Sequence, residues 1–305
     1  MLGELHPDYV ALLARRCPEV AVLPADEAAI DALVIWDLDV ALAVRAIEQH
    51  HDLQWVHLRW AGVPPEVLQV LEGQSMPLTN GSGAHGVAMG EYVVGVVLAH
   101  YKRLHEMRAA QRRSEWIHGL GMRELRGQRA GLIGLGDLGG SIARVLRPFG
   151  VLVRGLRRSG VPSPDVDEVF QPAQLDAFLA GLDILVICAP LTRETRGLIG
   201  SDQLGRLARG ALLVNVGRSA IVDEAAMLAA LRSGQLGGAA LDVFLEEPLD
   251  AESALWQEPN VFISPHCADA TPQSLERGLE LFLDNVERFT SGAPLRNVVD
   301  RQAGY

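Results

Sequence analysis

Arg218, Glu247 and His266 are residue types that bind anions and move protons, and each lies just beyond a short apolar run or at its end. Arg218 follows the run 212–216, Glu247 follows 239–243, and His266 follows 261–264. In an open α/β sheet, ligands bind beyond the carboxyl ends of the strands. A guanidinium, a carboxylate and an imidazole gathered there could hold an anion and exchange a proton with it near neutral pH. Cys267 adjoins His266, but neighbouring strand residues point to opposite faces, so a cysteine–histidine nucleophile is not expected.

A second set of residues is spaced for phosphate. Gly134, Gly136 and Gly139, with Asp137 and Leu138 among them, form a GxGxxG turn between the apolar run 130–133 and a segment of helical spacing, 141–147. The first glycine permits a tight turn, the second lets the backbone approach a pyrophosphate, and the third lets helix and strand pack closely. Amide groups and the helix dipole then face the anion. Asp137 is an unfavourable charge in such a turn unless it points outward. The next run, 151–155, leads into Arg157, Arg158 and Ser159, with Arg157 lying 23 positions after Gly134. An NAD-selective site carries an acid near that offset to accept hydrogen bonds from the ribose 2′-OH. Here the charge is inverted, which predicts NADP(H) as the preferred cofactor, with NAD(H) possible.

The elements that must position these residues read as α/β. Runs at 20–23, 32–36 and 55–58 predict strands, with helices at 41–50 and 65–72. A long apolar helix begins near Gly86 and runs toward Glu106, followed by a polar stretch, 108–126, that lacks a strand signal. From there, apolar runs at 130–133, 151–155, 184–189, 212–216, 239–243 and 261–264 show no in–out alternation, as strands buried on both faces do. They predict a doubly wound parallel sheet. A last helix is expected over 273–290, and the tail beyond it carries no assignment.

Lys and Arg number 27 against 38 Asp and Glu, a net charge of −11, so neither nucleic acid nor a membrane surface is an expected partner. Any anionic ligand must meet a local positive feature. Cys17, Cys188 and Cys267 form an odd set without CxxC spacing, so no disulfide framework or metal site is expected and the compartment reads as reducing and cytoplasmic. No signal-peptide pattern opens the sequence, and the apolar stretch 87–99 contains Glu91 and falls short of the ~20 residues that span a bilayer.

Together these motifs resemble the D-isomer-specific 2-hydroxyacid dehydrogenase family. The similarity is carried by the phosphate turn, APLTRETRGLI at 189–199, VNVGR at 214–218, GAALDVF at 238–244, EPL at 247–249 and SPH at 264–266. Within the family, MGEY at 89–92, RRS at 157–159 and VDRQAGY at 299–305 are most like the glyoxylate/hydroxypyruvate reductase A type. The resemblance implies two Rossmann-like domains. One is a dinucleotide-binding domain, 85–272, and the other a smaller, flavodoxin-like, discontinuous substrate domain, 1–84 and 273–305. It also implies His266 as the acid–base residue, Glu247 as its partner, and Arg218 as the clamp on a 2-ketoacid. Pro190 and Asp242 would contribute to the cofactor site, and Arg59, Trp60, Ala61, Gly62 and Val63 would form a carboxylate-binding loop. The implied assembly is a homodimer, with 108–126 near its interface. Two other readings stay open: an NAD-linked dehydrogenase for bulkier 2-ketoacids, and a dinucleotide-sensing binding protein. Ser219 and Gly90 depart from the family pattern, which has Gly and Ala there, and Cys267 after His266 is a third departure.

Overall fold

The computed structural model describes residues 7–24, 30–36 and 39–304. Backbone proximity divides the chain into two units, Met1–His85 with Thr271–Tyr305, and Gly86–Ala270. In chain order the elements begin with α1 (Pro7–Arg16), β1 (Ala32–Ile35), α2 (Val40–Gln49), β2 (Trp55–Leu58), α3 (Pro65–Val70) and β3 (Leu78–Thr79). There follow α4 (Gly86–Tyr101), α5 (Leu104–Arg112), β4 (Arg129–Ile133), α6 (Asp137–Leu146), β5 (Leu152–Leu156), β6 (Glu168–Phe170) and α7 (Leu175–Leu179). The chain closes with β7 (Ile184–Ile187), α8 (Ser201–Gly205), β8 (Ala211–Asn215), α9 (Glu224–Ser233), β9 (Leu236–Leu241), β10 (Val261–Ile263) and α10 (Pro272–Ser291).

The larger unit is a seven-stranded parallel sheet in the order β10-β9-β8-β7-β4-β5-β6. Every residue of β7 and β8 is buried, which explains the unbroken apolar runs in the sequence. One face packs Phe178, Leu213, Met227 and their neighbours. The other packs Val93, Val97, Ile142 and Leu146 from α4 and α6. Strand order reverses between β4 and β7, the switch point beside which open α/β sheets bind ligands.

The smaller unit builds on the parallel sheet β1-β2-β3. Thr271 caps α10 by accepting the Ser274 amide, Pro272 occupies the first turn, and Gly292 closes the helix at φ 70°. The tail then returns to the sheet. Val299 is buried, and the Arg301 guanidinium donates to the carbonyls of Leu71, Gln74 and Met76.

Several expectations need correction. Residues 20–23 are not a strand; Val22 and Leu23 are exposed, and a four-residue apolar run carries too little periodicity to separate strand from loop. The helix expected to run toward Glu106 breaks at Arg103, whose φ is 55°, between the apolar α4 and the more polar, amphipathic α5. The short strands β3 and β6 and the helix α1 went unread. Each is brief or weakly apolar and depends on neighbours distant in sequence.

Candidate active site

The phosphate turn sits at the switch point, directly after β4. Gly134 has φ 100°, and a Cβ on it would lie 2.9 Å from the backbone of Ala189, just past β7. A Cβ on Gly139 would lie 2.0 Å from the Gly134 carbonyl oxygen, so α6 can press against its own turn only without a side chain there. Around Gly136 the space is open, with nothing within 4 Å of a Cβ position. Gly136 also begins α6 without a side-chain cap, so the first-turn amides of α6 have no side-chain acceptor there and could donate to an anion. Asp137 is exposed on the first turn, as the turn requires. Leu138 packs partly into the core beside α4 and α6.

Arg157, half-buried, and the exposed Arg158 and Ser159 follow β5 directly. The Arg157 amide donates to the Phe170 carbonyl at 3.0 Å, so the overlooked β6 sets where this basic loop leaves the sheet. The Pro190 carbonyl accepts the Thr195 hydroxyl at 2.8 Å. The Glu194 carboxyl in the same loop is held low by a hydrogen bond from Thr192, helped by Arg158 and Arg193.

At the other end of the sheet, His266 Nδ1 lies 2.8 Å from Glu247 Oε2. Glu247 Oε1 accepts the Phe244 amide at 2.9 Å, so the carboxylate is fixed from both sides. Both side chains remain reachable, His266 at 43% and Glu247 at 36% exposure. His266 has φ 50°, a left-handed conformation that costs a bulky residue about 1–3 kcal/mol and must be held by its surroundings. The holding group is Asp242, 2% exposed just past β9. Its Oδ1 accepts the Ser264 hydroxyl at 2.5 Å and the Cys267 amide at 3.0 Å, and its Oδ2 accepts the Ala268 amide at 3.1 Å.

Arg218 is set by Asn215, whose side chain donates to the Arg218 carbonyl at 3.2 Å and accepts the Gly217 amide at 3.1 Å. Burial pushes the Arg218 guanidinium below its usual value, while the carboxylates of Glu247 and Asp269 push it back. An arginine in that field remains a cation, so a fixed positive charge lies within electrostatic reach of the Glu247–His266 pair. Cys267 lies beyond the last strand. β10 stops at Ile263, so strand alternation does not apply. Instead burial, then Asp242 and Asp269, raise its thiol, which keeps it a weak nucleophile.

In the smaller unit, residues 59–62 are a run of bends leading from β2 toward α3. Arg59 is anchored: its amide donates to the Ile35 carbonyl and its Nε to the Trp36 carbonyl, at 3.1 and 2.8 Å. The Trp60 carbonyl accepts the Gly81 amide, and the Ala61 carbonyl accepts the Asn80 side chain at 2.7 Å. Among the described residues, the amides of Gly62 and Val63 meet no protein acceptor, which leaves two adjacent donors for a small anion.

Residues 94–268 match the model of the D-isomer specific 2-hydroxyacid dehydrogenase, NAD binding domain. The chain belongs to this family. It is 36% identical over 222 residues to glyoxylate/hydroxypyruvate reductase A of Klebsiella pneumoniae, covering 72% of this chain and 70% of that one. Its fold is similar to the NADPH-dependent glyoxylate/hydroxypyruvate reductase of Sinorhizobium meliloti in complex with NADP and sulfate. The TM-score there is 0.85 and the identity 32%, over 99% of this chain and 98% of that one. A D-isomer specific 2-hydroxyacid dehydrogenase of Xanthobacter autotrophicus in complex with NADPH gives the same TM-score, 0.85, and 32% identity, over 99% and 96% of the two chains. As a member of this dehydrogenase family the protein is an oxidoreductase.

Two of its departures from the family pattern, Ser219 and Gly90, fit locally. Ser219 opens a short 3-10 turn whose carbonyl accepts the Val222 amide, and the backbone there needs no positive φ. Gly90 faces α6, where a Cβ would come within 3.1 Å of Val145 Cγ2, so this helix pair has closed over the missing methyl. Sequence reasoning missed Ser264, Tyr92 and Asp269 as neighbours of the acid–base loop. The available signal was a tyrosine in the long apolar helix, whose hydroxyl must find a partner when buried.

Proposed function

We propose that this dehydrogenase reduces small 2-ketoacids, glyoxylate and hydroxypyruvate, to 2-hydroxy acids with NADP(H) as the preferred cofactor. The observation that carries the reading is the His266–Glu247 pair at 2.8 Å, within the field of the Arg218 cation. A bound dihydronicotinamide supplies the hydride. As the ketone carbon receives it, negative charge grows on the carbonyl oxygen, and Arg218 stabilises that charge more than it stabilises the neutral ketone. His266 Nε2 gives the proton that completes the alcohol, while Glu247 holds the ring through Nδ1 and offsets the imidazolium charge.

The cofactor assignment draws on the open cradle at Gly136, on Arg157, Arg158 and Ser159 past β5, and on two similar structures that hold NADP or NADPH. The donors at Gly62 and Val63 support a carboxylate-binding role for their loop. We assign a homodimer as well. Trp116 and Met122 are 88% and 55% exposed, and Trp116 lines an open groove in which Met107 and Ile117 lie beside Gln111, Ser114 and Glu115, so exposed apolar side chains there are ringed by polar ones. Three free thiols fit a reducing, cytoplasmic setting. Among the described residues no helix is long and apolar enough to cross a membrane.

The test is a panel of 2-ketoacids from glyoxylate to phenylpyruvate, assayed with NADPH and NADH by absorbance. The expected result is the highest kcat/KM for glyoxylate or hydroxypyruvate with NADPH. A preference for phenylpyruvate with NADH overturns the assignment.

A further inference from the structure

We propose that Tyr92 is a positioning residue for the acid–base loop, acting through Ser264 and the buried Asp242 to hold His266 against Glu247. The inference rests on the reading of His266 as the proton donor and adds to it a residue that touches none of the reacting groups.

The chain of hydrogen bonds has a direction. Asp242 already accepts the amides of Cys267 and Ala268, one on each oxygen, at 3.0 and 3.1 Å. A carboxylate is an acceptor, so the Ser264 hydroxyl, 2.5 Å from Oδ1, gives its single proton to Asp242. Ser264 Oγ can then only accept from its other neighbour, the Tyr92 hydroxyl at 2.6 Å. Tyr92 is thus the terminal donor. Burial, outweighing the bond to Ser264, pushes its phenol up to about 12, so it keeps its proton at any ordinary working pH.

The two ends of this chain bracket His266. On one side Ser264 is fixed by its side chain to Tyr92, by its amide to the Leu241 carbonyl, and by its carbonyl to the His266 amide, both backbone bonds at 3.0 Å. On the other side Asp242 holds the next two amides. Between these tethers His266 keeps φ at 50°, a conformation it would not choose alone. Tyr92 projects from α4, a helix whose residues Met89, Val93 and Val96 are packed into the core, so the outer end of the chain is anchored on rigid structure. Its phenol is the only part of α4 that the loop uses in this chain of bonds.

Tyr92→Phe keeps the ring and its packing and removes only the terminal donor. With glyoxylate and NADPH, kcat should fall by ~10-fold to ~100-fold, the scale expected when a reacting group is displaced by a fraction of an ångström to 1 Å. The KM for NADPH should stay within about twofold, because the phosphate turn is untouched. Ser264→Ala should give a similar loss, Ser264→Thr should restore activity by returning the hydroxyl, and Tyr92→Phe added to Ser264→Ala should cost nothing further. A wild-type kcat in Tyr92→Phe overturns the proposal. So does an undiminished Tyr92→Phe loss in the Ser264→Ala background, or a Ser264→Thr variant as slow as Ser264→Ala. If Tyr92→Phe proves unstable, the Ser264 pair decides. His266→Ala run alongside separates the two levels: turnover surviving there removes the proton-donor reading itself, whereas its loss with an unaffected Tyr92→Phe removes only the positioning role.

Discussion

The two proposed functional ends of the larger unit lie on opposite halves of one sheet and are built on different principles. Beyond β4 and β5, the phosphate end works through the backbone: a glycine at φ 100°, a glycine with open space before it, and a third pressed against a carbonyl. Beyond β8, β9 and β10, the acid–base end works through side chains that lie far apart in sequence and are joined by a buried hydrogen-bond network around Asp242. This backbone device leaves no room for added atoms at Gly134 and Gly139, where a Cβ would lie 2.9 and 2.0 Å from other backbone. A side-chain device tolerates added atoms poorly in only a few places, yet it fails when a single donor is lost from the network. The two ends should therefore break in different ways, one losing affinity and the other turnover.

His266→Ala should produce the largest break. Removal of a general acid costs ~10²-fold to ~10⁴-fold in kcat, while NADPH titrated by fluorescence should bind as in the wild type. A large drop in NADPH affinity would show that the two ends are not separable. Arg157→Asp is the reciprocal change. It replaces a charge-assisted bond to a 2′-phosphate with repulsion and should raise the KM for NADPH by ~10²-fold, with kcat for NADH preserved. An unchanged NADPH to NADH ratio removes Arg157 from the cofactor assignment. Gly139→Ala should come next, since its Cβ would sit 2.0 Å from the Gly134 oxygen. Overpacking of this kind costs about 1–3 kcal/mol, which should appear as a lower Tm together with weaker NADPH binding, roughly tenfold.

The difference between the ends also explains what could be read from the chain. Gly134, Gly136 and Gly139 announce themselves because a turn fixes its own spacing; Gly134 has φ 100°, and Gly139 leaves no room for a Cβ beside the Gly134 oxygen. The central strands were legible for a related reason, since burial on both faces leaves β7 and β8 without polar residues in the run before Asn215. The pairing of Glu247 with His266 was reached through family resemblance. No rule of local spacing brings residues 19 apart into contact. Tyr92 and Ser264 lie 172 positions apart, and only the packing of α4 beside the sheet makes them neighbours. Short elements such as β3 and β6 share that limit, because two or three residues become a strand only when a partner strand is already in place.

The substitution expected to change turnover least is at Cys267. Cys267 follows the proposed proton donor directly and is exposed, so its position invites a role for the thiol. The structure uses only its amide, which donates to Asp242, while the thiol is raised by burial and by the carboxylates of Asp242 and Asp269. Cys267→Ala keeps the amide and removes the sulfur, so kcat should stay within about twofold of the wild type, as for a substitution that leaves the network whole. Alkylation of the wild-type thiol should be slow at neutral pH and speed up as pH rises, because the thiolate forms late. A Cys267→Ala variant as slow as Tyr92→Phe would mean that the sulfur itself takes part, and that the acid–base end does not depend on this residue through its backbone alone.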